Sequence, residues 1–475
     1  MDTRTRAFDL LPSSILATAA LLGLVAALQP LVAVAAVAAI VLAYIVFSDL
    51  AAGFAVLGFL SFLDTLPASS SLSPSKGAGL LLAVAWLARF SASQRDQRDL
   101  FGDHPFLSWT LIGFFAWATI SLLWVTSMSV GIESLTRYAP NILLLPIAYT
   151  AVRNRRDLML VVVAIVLGAI VAACFGVLQP PDPNVLTESS RATGTVGDPN
   201  ELAAFLLIGL ALAGGVALGH WHKPLLRVTA LLAVPLCAAG VFLSLSRGGL
   251  IALAVMLVAG TVFAGRWRAV LTILLVVVAA GGVFYFAELA SLPAREHVTT
   301  AGGGTGRSDI WKLGLRMVRA HPIEGVGVGN FPVVSADYAL QPGELQRADL
   351  IFSSAPKITH NTYLEVMSEM GIPGFLLFMA AVLSCLSCAL KAARIWAKRN
   401  ERNLEALARA VFLGLVGMLT ADFFISEMYS KLLWVMLALC PALLGVARAE
   451  AKRSAEEDLP ERRSTPRSPA YAALD

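Results

Sequence analysis

Long apolar runs constrain the fold of this chain more than any other feature of its sequence. Broken at proline, glycine and charged residues, they give about 14 segments of roughly membrane-spanning length. The segments lie near residues 13–28, 30–47, 50–66, 76–90, 106–126, 134–152, 157–178, 200–219, 225–244, 248–265, 268–287, 361–390, 408–427 and 431–447. Hydrophobic residues make up 57% of the 475 positions and charged residues only 14%, which excludes a water-soluble enzyme. The sequence therefore predicts an all-α polytopic membrane protein with about 12–14 transmembrane helices.

Basic clusters between alternate apolar runs predict which helix ends face the cytoplasm. The clusters hold Arg89, Arg95 and Arg98; Arg153, Arg155 and Arg156; Lys223 and Arg227; Arg266 and Arg268; and Lys391, Arg394, Lys398, Arg399 and Arg402. Cytoplasmic loops of membrane proteins are enriched in Lys and Arg, and an even number of spans then places both termini in the cytoplasm. Because the charge is distributed in this way, the net charge of +4 indicates topology and not binding of nucleic acid.

This topology divides the chain into four regions. Residues 1–287 are predicted to be a transmembrane helical region, 288–359 one large outer loop, 360–447 the C-terminal transmembrane helices and 448–475 a disordered cytoplasmic tail. The first apolar run follows two arginines and precedes a second run, which indicates an uncleaved anchor. Within the large loop, the cations at Lys312, Arg316 and Arg319 repeat at helical spacing. This pattern predicts an amphipathic helix on the outer membrane surface.

Four arginines map to the outer side, where the charge bias of membrane proteins should deplete them. They are Arg137, Arg191, Arg247 and Arg307. An arginine at the edge of the hydrocarbon layer is costly unless it snorkels or binds an anion, and its planar guanidinium suits phosphate oxygens. Snorkelling is the better account of Arg137 alone, whereas the four together favour a polyanion site.

Two of these arginines stand beside breaks between helices. Arg247 lies in the sequence SRGG, where the glycines permit a turn, and its alternative role is only to mark that helix break. Arg191 precedes Asp198 and Pro199, which are a typical N-cap and first helical residue. A helix that begins there directs free backbone N–H groups outward, where a phosphate can be held.

His360 is the strongest general-base candidate among the six histidines. It stands directly before an apolar run, near helix-start signals at Thr359 and Thr362. A helix N-terminus disfavours the imidazolium form, so a neutral histidine at this position is able to accept a proton. From the residues alone, an interfacial histidine that merely caps the helix is an equally good account.

Four carboxylates accompany His360 in the C-terminal part of the chain. Glu365 and Glu369 lie four residues apart on one helix face and are expected to orient His360 or a basic partner. Asp422 and Glu427 either line the same cavity or form a structural salt bridge. The sequence has no Asp-x-Asp pair and no outer grouping at metal-ligand spacing, so we expect no metal ion in the site.

One spacing resembles the signature of the bacterial O-antigen ligase family: His360-Asn361, nine residues, Gly371, two residues and Gly374. Other stretches are similar to the wider superfamily of these ligases and related polysaccharide polymerases. They are residues 191–203 (RATGTVGDPNELA), 244–249 (SLSRGG), 306–311 (GRSDIW) and 321–331 (HPIEGVGVGNF). The resemblance extends over roughly residues 130–445.

The resemblance implies a GT-C-like glycosyltransferase of the bacterial inner membrane that uses no cofactor and no metal ion. Such an enzyme takes a glycan from an undecaprenyl-diphosphate carrier on the periplasmic face and joins it, with inversion, to an acceptor hydroxyl. It implies His360 as the base, and Arg247 and Arg307, helped by Arg191, as ligands of the diphosphate. Four further residues are expected to support this site: Arg137, Asn200, Asn361 and Glu365.

The acceptor distinguishes the members of this superfamily. An enzyme whose acceptor is lipid A core is an O-antigen ligase of lipopolysaccharide biosynthesis. One whose acceptor is a second carrier-linked unit is an exopolysaccharide or O-antigen polymerase, and one whose acceptor is a protein hydroxyl is an O-oligosaccharyltransferase. The histidine motif favours the ligase, and the polymerase is the second hypothesis. A lipid or sugar transporter or flippase is the alternative from another class, but it predicts charge near the middle of the membrane and repeated halves.

Overall fold

The computed structural model describes residues 29–64, 73–92, 98–179, 191–219, 221, 223–284, 307–341 and 358–457. In these ranges the chain forms sixteen α-helices and no strand. We number them α1 Pro30–Ser48, α2 Leu50–Leu60, α3 Pro74–Ala92, α4 Leu100–Asp103, α5 Pro105–Ile120, α6 Met128–Ala151, α7 Arg155–Leu178, α8 Pro199–Leu218, α9 Pro224–Leu243, α10 Arg247–Phe263, α11 Arg268–Phe284, α12 Arg307–Ala320, α13 Phe331–Ala339, α14 Thr362–Lys398, α15 Arg402–Ala421 and α16 Lys431–Glu457.

Eight of the described helices are long and apolar enough to cross a membrane, namely α5, α7, α8, α9, α11, α14, α15 and α16. Three shorter apolar helices, α1, α2 and α10, accompany them. The prediction of an all-α polytopic membrane protein is therefore confirmed. The first predicted span, residues 13–28, lies outside the described residues, so the count of about 12–14 spans stays a prediction.

The bundle is built around α8, α15 and α16. Helix α8 packs against α7, α9 and α15, while α16 packs against α6 and α14. In their most apolar stretches, α15 is 83% buried and α16 is 89% buried, whereas no residue of that stretch is buried in α11. Gly215 on α8 lets the chain approach α15 closely, because a Cβ at this position would overlap Ala410. Helix α11 lies at the periphery and presents its apolar side chains outward.

Several of the basic clusters meet at one end of the bundle, which we call the basic end. Arg98 donates hydrogen bonds to the carbonyl oxygens of Val152 and Arg153. Arg155 forms ion pairs with Glu401 and Glu450, at 2.8 and 2.6 Å. The loops that the charge pattern assigns to one side thus lie together, and their cytoplasmic location stays a prediction.

The last helix is longer than the charge pattern indicates. A disordered tail was expected from residue 448, but α16 continues to Glu457. The helix is extended because Glu450 on this stretch accepts hydrogen bonds from Trp396 and Arg155. Residues 458–475 of the predicted tail lie outside the described residues.

Helix α14 contains a backbone break at Gly371, where φ is 64° and ψ is −173°. Pro373 follows two residues later and has no N–H to donate to the carbonyl oxygen of Glu369. The break therefore leaves carbonyl groups near the start of α14 that need donors from elsewhere in the protein.

Residues 321–331, which we call the docking loop, supply these donors. The N–H groups of Val326 and Gly327 donate to the carbonyl oxygens of Ser368 and Glu369, at 2.9 and 2.8 Å. In return, the N–H of Ile372 donates to the carbonyl oxygen of Pro322 at 2.8 Å. The segment around Gly371 of the signature and the docking loop, which has the sequence HPIEGVGVGNF, are thus in contact with each other.

Helix α12 is the amphipathic helix that the sequence predicts in the large loop, and its apolar face packs on protein. Its position on the membrane surface stays a prediction. Its residues Ile310, Leu313 and Met317 form a small core with Phe331 and other side chains of the docking loop and α13. Two of its three predicted surface cations have partners in the protein. Lys312 pairs with Asp309 at 2.8 Å, and Arg316 donates to the Tyr338 carbonyl oxygen. The glycine-rich stretch just before α12, residues 302–306, lies outside the described residues.

The substitution Gly371→Ala is expected to destabilise the protein by at least about 2 kcal/mol. Its φ lies in the left-handed region, and a Cβ would overlap the carbonyl oxygen of Ile323 in the docking loop. The thermal unfolding midpoint of the purified protein in detergent measures the effect. Gly214→Ala is the control, because this helical glycine has no atom within 4 Å of an added Cβ. Equal midpoints for the two variants would contradict the contact.

Candidate active site

The candidate site is built on the segment between α15 and α16, residues 422–430, at the end of the bundle opposite the basic end. The backbone N–H of Thr362, the first residue of α14, donates to the carbonyl oxygens of Asp422 and Ile425, both at 2.9 Å. Its hydroxyl donates to the Ile425 carbonyl and accepts a hydrogen bond from the N–H of Glu427. These bonds attach the start of α14 to the 422–430 segment.

Thr359 holds the chain on the other side of His360. Its buried hydroxyl donates to Glu365 Oε2 at 2.7 Å and lies 2.9 Å from the hydroxyl of Ser426. Its carbonyl oxygen accepts a hydrogen bond from Trp311 Nε1 at 3.1 Å. His360 therefore sits between two residues, Thr359 and Thr362, that are both anchored to the same segment.

His360 itself is half-buried and has a left-handed backbone, with φ of 47°. Only Leu245 and Asn400 share a positive φ among the non-glycine residues that the structure describes. Such a conformation costs on the order of 1–3 kcal/mol and tends to occur at functional sites. Leu245 lies two residues before Arg247, so two of the three strained residues adjoin the predicted site.

The helix that follows His360 is capped by Asn361. The Asn361 side chain accepts a hydrogen bond from the N–H of Leu364 at 3.0 Å, so neither Thr359 nor Thr362 is the N-cap that the sequence indicated. This corrects the alternative account of His360 as a capping residue, because the adjacent asparagine performs that role. The cap also explains why a histidine and an asparagine stand together at this position.

Arg191, which is buried, and Asn200, which is partly buried, form a cluster behind the turn that carries Arg247. Arg191 is 6% exposed; its Nε donates to the Ser244 carbonyl oxygen at 2.8 Å and an Nη donates to Asn200 Oδ1 at 2.9 Å. The hydroxyl of Ser246 donates to the same Asn200 oxygen at 2.9 Å. Two predicted site residues thus meet, and both bind the Ser244–Ser246 turn.

Arg247 is the first residue of α10 and is half-buried. Ser246 caps this helix, since its hydroxyl accepts the N–H of Gly249 at 3.1 Å. The next residue, Gly248, lies against Phe424, whose ring a Cβ at this position would overlap. The start of α10 therefore packs on the same 422–430 segment that holds the start of α14.

Arg307 is the first residue of α12 and is also half-buried. One helical turn later, Trp311 stacks near Phe424, with ring centroids 6.5 Å apart, and bonds to Thr359. The starts of α10, α12 and α14 therefore gather around the 422–430 segment. Helix N-termini carry partial positive charge, so with Arg247 and Arg307 they make this end of the bundle suited to a polyanion.

Arg137 occupies a different place from the other arginines. It pairs with Glu133 one turn away on α6, its side chain is half-exposed, and its guanidinium lies 5.6 Å from the centre of the Tyr429 ring. Arg137 thus touches the far end of the 422–430 segment. Its partners agree with an interfacial residue that supports the segment.

The carboxylates divide into separate roles. Glu369 is buried and accepts the N–H groups of Gly329 and Phe331, at 2.8 and 3.3 Å, so it anchors the docking loop and does not orient His360. Glu365 acts next to the histidine through its bond to Thr359. Asp422 is fully buried and its carboxylate has no hydrogen-bond partner among the described residues. Burial raises the pKa of this carboxyl well above its usual range.

The sequence identified the charged residues but missed the contacts that assemble them. These contacts are the packing of Phe424, the hydroxyl contact of Ser426 with Thr359 and the backbone hydrogen bonds of the docking loop. Only the repeated glycines of residues 321–331 gave a local signal, since Gly325, Gly327 and Gly329 all have positive φ. In the described ranges, no group of three or more His, Cys, Asp or Glu side chains is arranged to hold a metal ion.

The fold and site thus define a polytopic helical membrane protein with a histidine and cationic residues gathered at one end. Residues 230–379 match the model of the family described as O-antigen ligase, which confirms the resemblance to the O-antigen ligase-like superfamily. The matched range contains Arg247, Arg307, His360 and Gly371. Arg191 and Asn200 lie outside it. A comparison with curated protein sequences finds no match.

The substitution Arg191→Lys is expected to destabilise the protein by about 1–3 kcal/mol. An ammonium group cannot bridge the Ser244 carbonyl and the Asn200 side chain as the planar guanidinium does. The matched control is Arg137→Lys, whose ion pair is half-exposed and is expected to change stability by less than about 1 kcal/mol. Thermal unfolding midpoints in detergent compare them, and a larger loss for Arg137→Lys would refute the buried bridge.

Proposed function

We propose that the protein transfers a glycan from an undecaprenyl-diphosphate carrier to an acceptor hydroxyl, most specifically to lipid A core as an O-antigen ligase. The match to the O-antigen ligase family supports this class of reaction. The observation that carries the proposal is the left-handed His360, anchored on both sides to the 422–430 segment on which α10 and α12 also begin. This arrangement combines a base with a cationic region, as glycan transfer from a diphosphate requires.

In the proposed reaction, a ring nitrogen of His360 accepts the proton of the acceptor hydroxyl. The acceptor oxygen then forms a bond to the anomeric carbon of the donor sugar, and the bond from that carbon to the diphosphate oxygen breaks. A single displacement inverts the anomeric configuration. The hydrogen bonds of Thr359 and the Asn361 cap fix the backbone beside the histidine, so that its ring needs little reorganisation.

Arg247 and Arg307 are proposed to bind the diphosphate that leaves. Each is the first residue of its helix, so its charge adds to the backbone N–H groups at that helix end. Arg191 is proposed to act as a positioning residue, because its Nε donates to the Ser244 carbonyl oxygen in the turn before Arg247 and an Nη donates to Asn200. Asn200 completes that contact, while Glu365 positions Thr359. Arg137 supports the segment through Tyr429.

The proposed function requires that the protein lies in the bacterial inner membrane, with the site on the periplasmic side and the basic end in the cytoplasm. It needs no metal ion or cofactor, since the histidine supplies the base and the arginines the charge. Polymerisation of carrier-linked units by the same site is the second candidate. A flippase is less well supported, because the candidate groups gather at one end of the bundle rather than at its middle.

His360→Ala is expected to lower glycan transfer by at least about 100-fold, because the acceptor hydroxyl loses its base. The purified protein is incubated in detergent with chelator and carrier-linked glycan, with lipid A core in one arm and no acceptor in the other. His321→Ala is the matched control, since His321 is partly exposed and pairs with Glu324 in the docking loop.

The products of this experiment separate the candidate functions. Glycan on lipid A core establishes the ligase, and longer carrier-linked chains without acceptor establish the polymerase. If His360→Ala transfers glycan at the same rate as the control variant, His360 is not the base. Absence of any transfer in detergent, where transport has no meaning, would favour the flippase.

Arg247→Gln and Arg307→Gln are each expected to reduce transfer by about 30-fold or more, because each removes a donor to the leaving diphosphate. Both variants should also bind the carrier diphosphate more weakly in a direct assay. Arg319→Gln is the matched control, because this exposed arginine lies in the last turn of α12, far from its start. Unchanged transfer in both site variants would exclude these arginines from the donor site.

A further inference from the structure

A cavity lies at the basic end of the bundle, away from the candidate active site. It has a volume of about 570 Å³ and is bounded by the start of α5, the later part of α14 and α16. Lys391 and Arg448 line it from two different helices. Both are exposed, and neither has an ion-pair partner in the described ranges. The cavity is therefore flanked by two cations that form no ion pair in the described ranges.

The one carboxylate in the lining is Asp103. It is partly engaged elsewhere, because its Oδ2 accepts a hydrogen bond from the Tyr149 hydroxyl at 2.5 Å. Two cations and one carboxylate leave the lining with a net positive charge. A ligand that carries one negative charge would balance this lining.

His104 is the most informative residue of the cavity. It is 9% exposed, and its Nε2 is buried with no hydrogen-bond partner in the described part of the chain. Its Nδ1 lies 3.7 Å from the Cys388 sulfur. Burial, followed by the charge of Arg448, lowers the pKa of His104 to about 4, so the ring is neutral at pH 7. When the thiol donates to Nδ1, the ring proton resides on Nε2, which has no acceptor in the described part of the chain.

The cavity wall on α14 changes from polar to apolar along the helix. Ser384, Ser387 and Lys391 follow one another at three and four residues and share a face. Leu383 on α14 and Phe106 on α5 stand at the apolar part and are exposed by 57% and 66%. In a membrane-spanning helix, side chains exposed in this way face lipid. The cavity therefore joins a cationic, hydroxyl-lined pocket to the hydrocarbon region.

The start of α5 adds to the positive character of the pocket. This helix of 16 residues begins at Pro105, and His104 is its N-cap without a capping side-chain bond. The first backbone N–H groups of a helix have no intrahelical acceptor and attract anions. Lys391, Arg448 and the unpartnered Nε2 of His104, with the start of α5 at Phe106 and Leu107, line the same cavity.

We propose that this cavity binds the phosphate group of an anionic phospholipid of the surrounding leaflet, with one acyl chain lying along Leu383 and Phe106. Lys391, Arg448 and the serine hydroxyls contact the phosphate oxygens, and His104 Nε2 donates to one of them. Phosphate suits this set because its oxygens accept hydrogen bonds from ammonium, guanidinium, hydroxyl and imidazole N–H groups. The site is separate from the proposed donor site, which lies at the other ends of α14 and α16.

Lipid binding to the full-length protein tests the proposal. Protein in detergent is mixed with either dioleoyl-phosphatidylglycerol or dioleoyl-phosphatidylcholine, and bound lipid is counted by native mass spectrometry. The wild type should retain phosphatidylglycerol in preference. The double variant Lys391→Gln and Arg448→Gln should bind it roughly 20-fold more weakly, since each cation contributes several-fold. The control is Arg394→Gln with Lys398→Gln, which removes the same charge from exposed positions of α14.

Two further arms keep the test decisive. Ser384→Leu fills the cavity while retaining both cations, and it should also lose phosphatidylglycerol at an unchanged thermal unfolding midpoint. Inorganic phosphate is titrated as competitor, and displacement of the lipid at low millimolar concentration would overturn the lipid in favour of a free-phosphate site. Equal loss in both double variants, or no preference for phosphatidylglycerol in the wild type, would overturn the site altogether.

Discussion

The attachment of Thr362 to the segment after α15 is the interaction on which the candidate site depends. Its backbone N–H and hydroxyl bind the carbonyl groups of Asp422 and Ile425. Such groups in a membrane protein need partners within the protein, because lipid offers none. The bond thereby sets where α14 begins, and with it the position of His360. Phe424 on the same segment packs against Gly248 at the start of α10 and against the ring of Trp311 on α12.

A second constraint acts at the break of α14. Pro373 and Gly371 interrupt the helix, and the carbonyl groups released there are satisfied by the docking loop. Glu369 strengthens the contact by accepting two further N–H groups from the loop. Because the loop leads back to α12, the break connects the helix that carries His360 with the helix that carries Arg307. Motif residues separated by about 50 positions in the chain thus belong to one structural unit.

Charge is divided between the two ends of the bundle, and the enclosed helices α15 and α16 connect those ends. At the basic end, Arg155 pairs with Glu401 and Glu450 while Arg266 pairs with Glu405. At the other end, arginines stand at helix N-termini beside the histidine. The separation follows from the high cost of charge within hydrocarbon, which leaves ionic groups to helix ends and protected cavities. A donor site and a lipid site are compatible because they use different ends.

Much of the outline of the fold could be predicted from sequence, because apolar run length and basic clusters are local properties. The cap at Asp198 was also predictable, and the structure has its side chain accepting two backbone N–H groups. The extent of α16 and the cap at Asn361 were mispredicted, and the packing of α12 on the protein was not predicted. The extent of α16 and the packing of α12 depend on partners distant in the chain, such as Glu450 with Arg155 or Ile310 with Phe331. The Asn361 cap is instead a local bond to Leu364.

The sequence by itself determined the all-helical membrane class, the candidate histidine and arginines, and the resemblance that the family match confirms over residues 230–379. These follow from composition, periodicity and short motifs. Only the tertiary structure decided that Arg191 holds a turn, that Glu369 anchors a loop and that the 422–430 segment gathers three helix starts. A side chain can present the same donors to a ligand or to its own backbone, and only the three-dimensional neighbours determine which acceptor it meets.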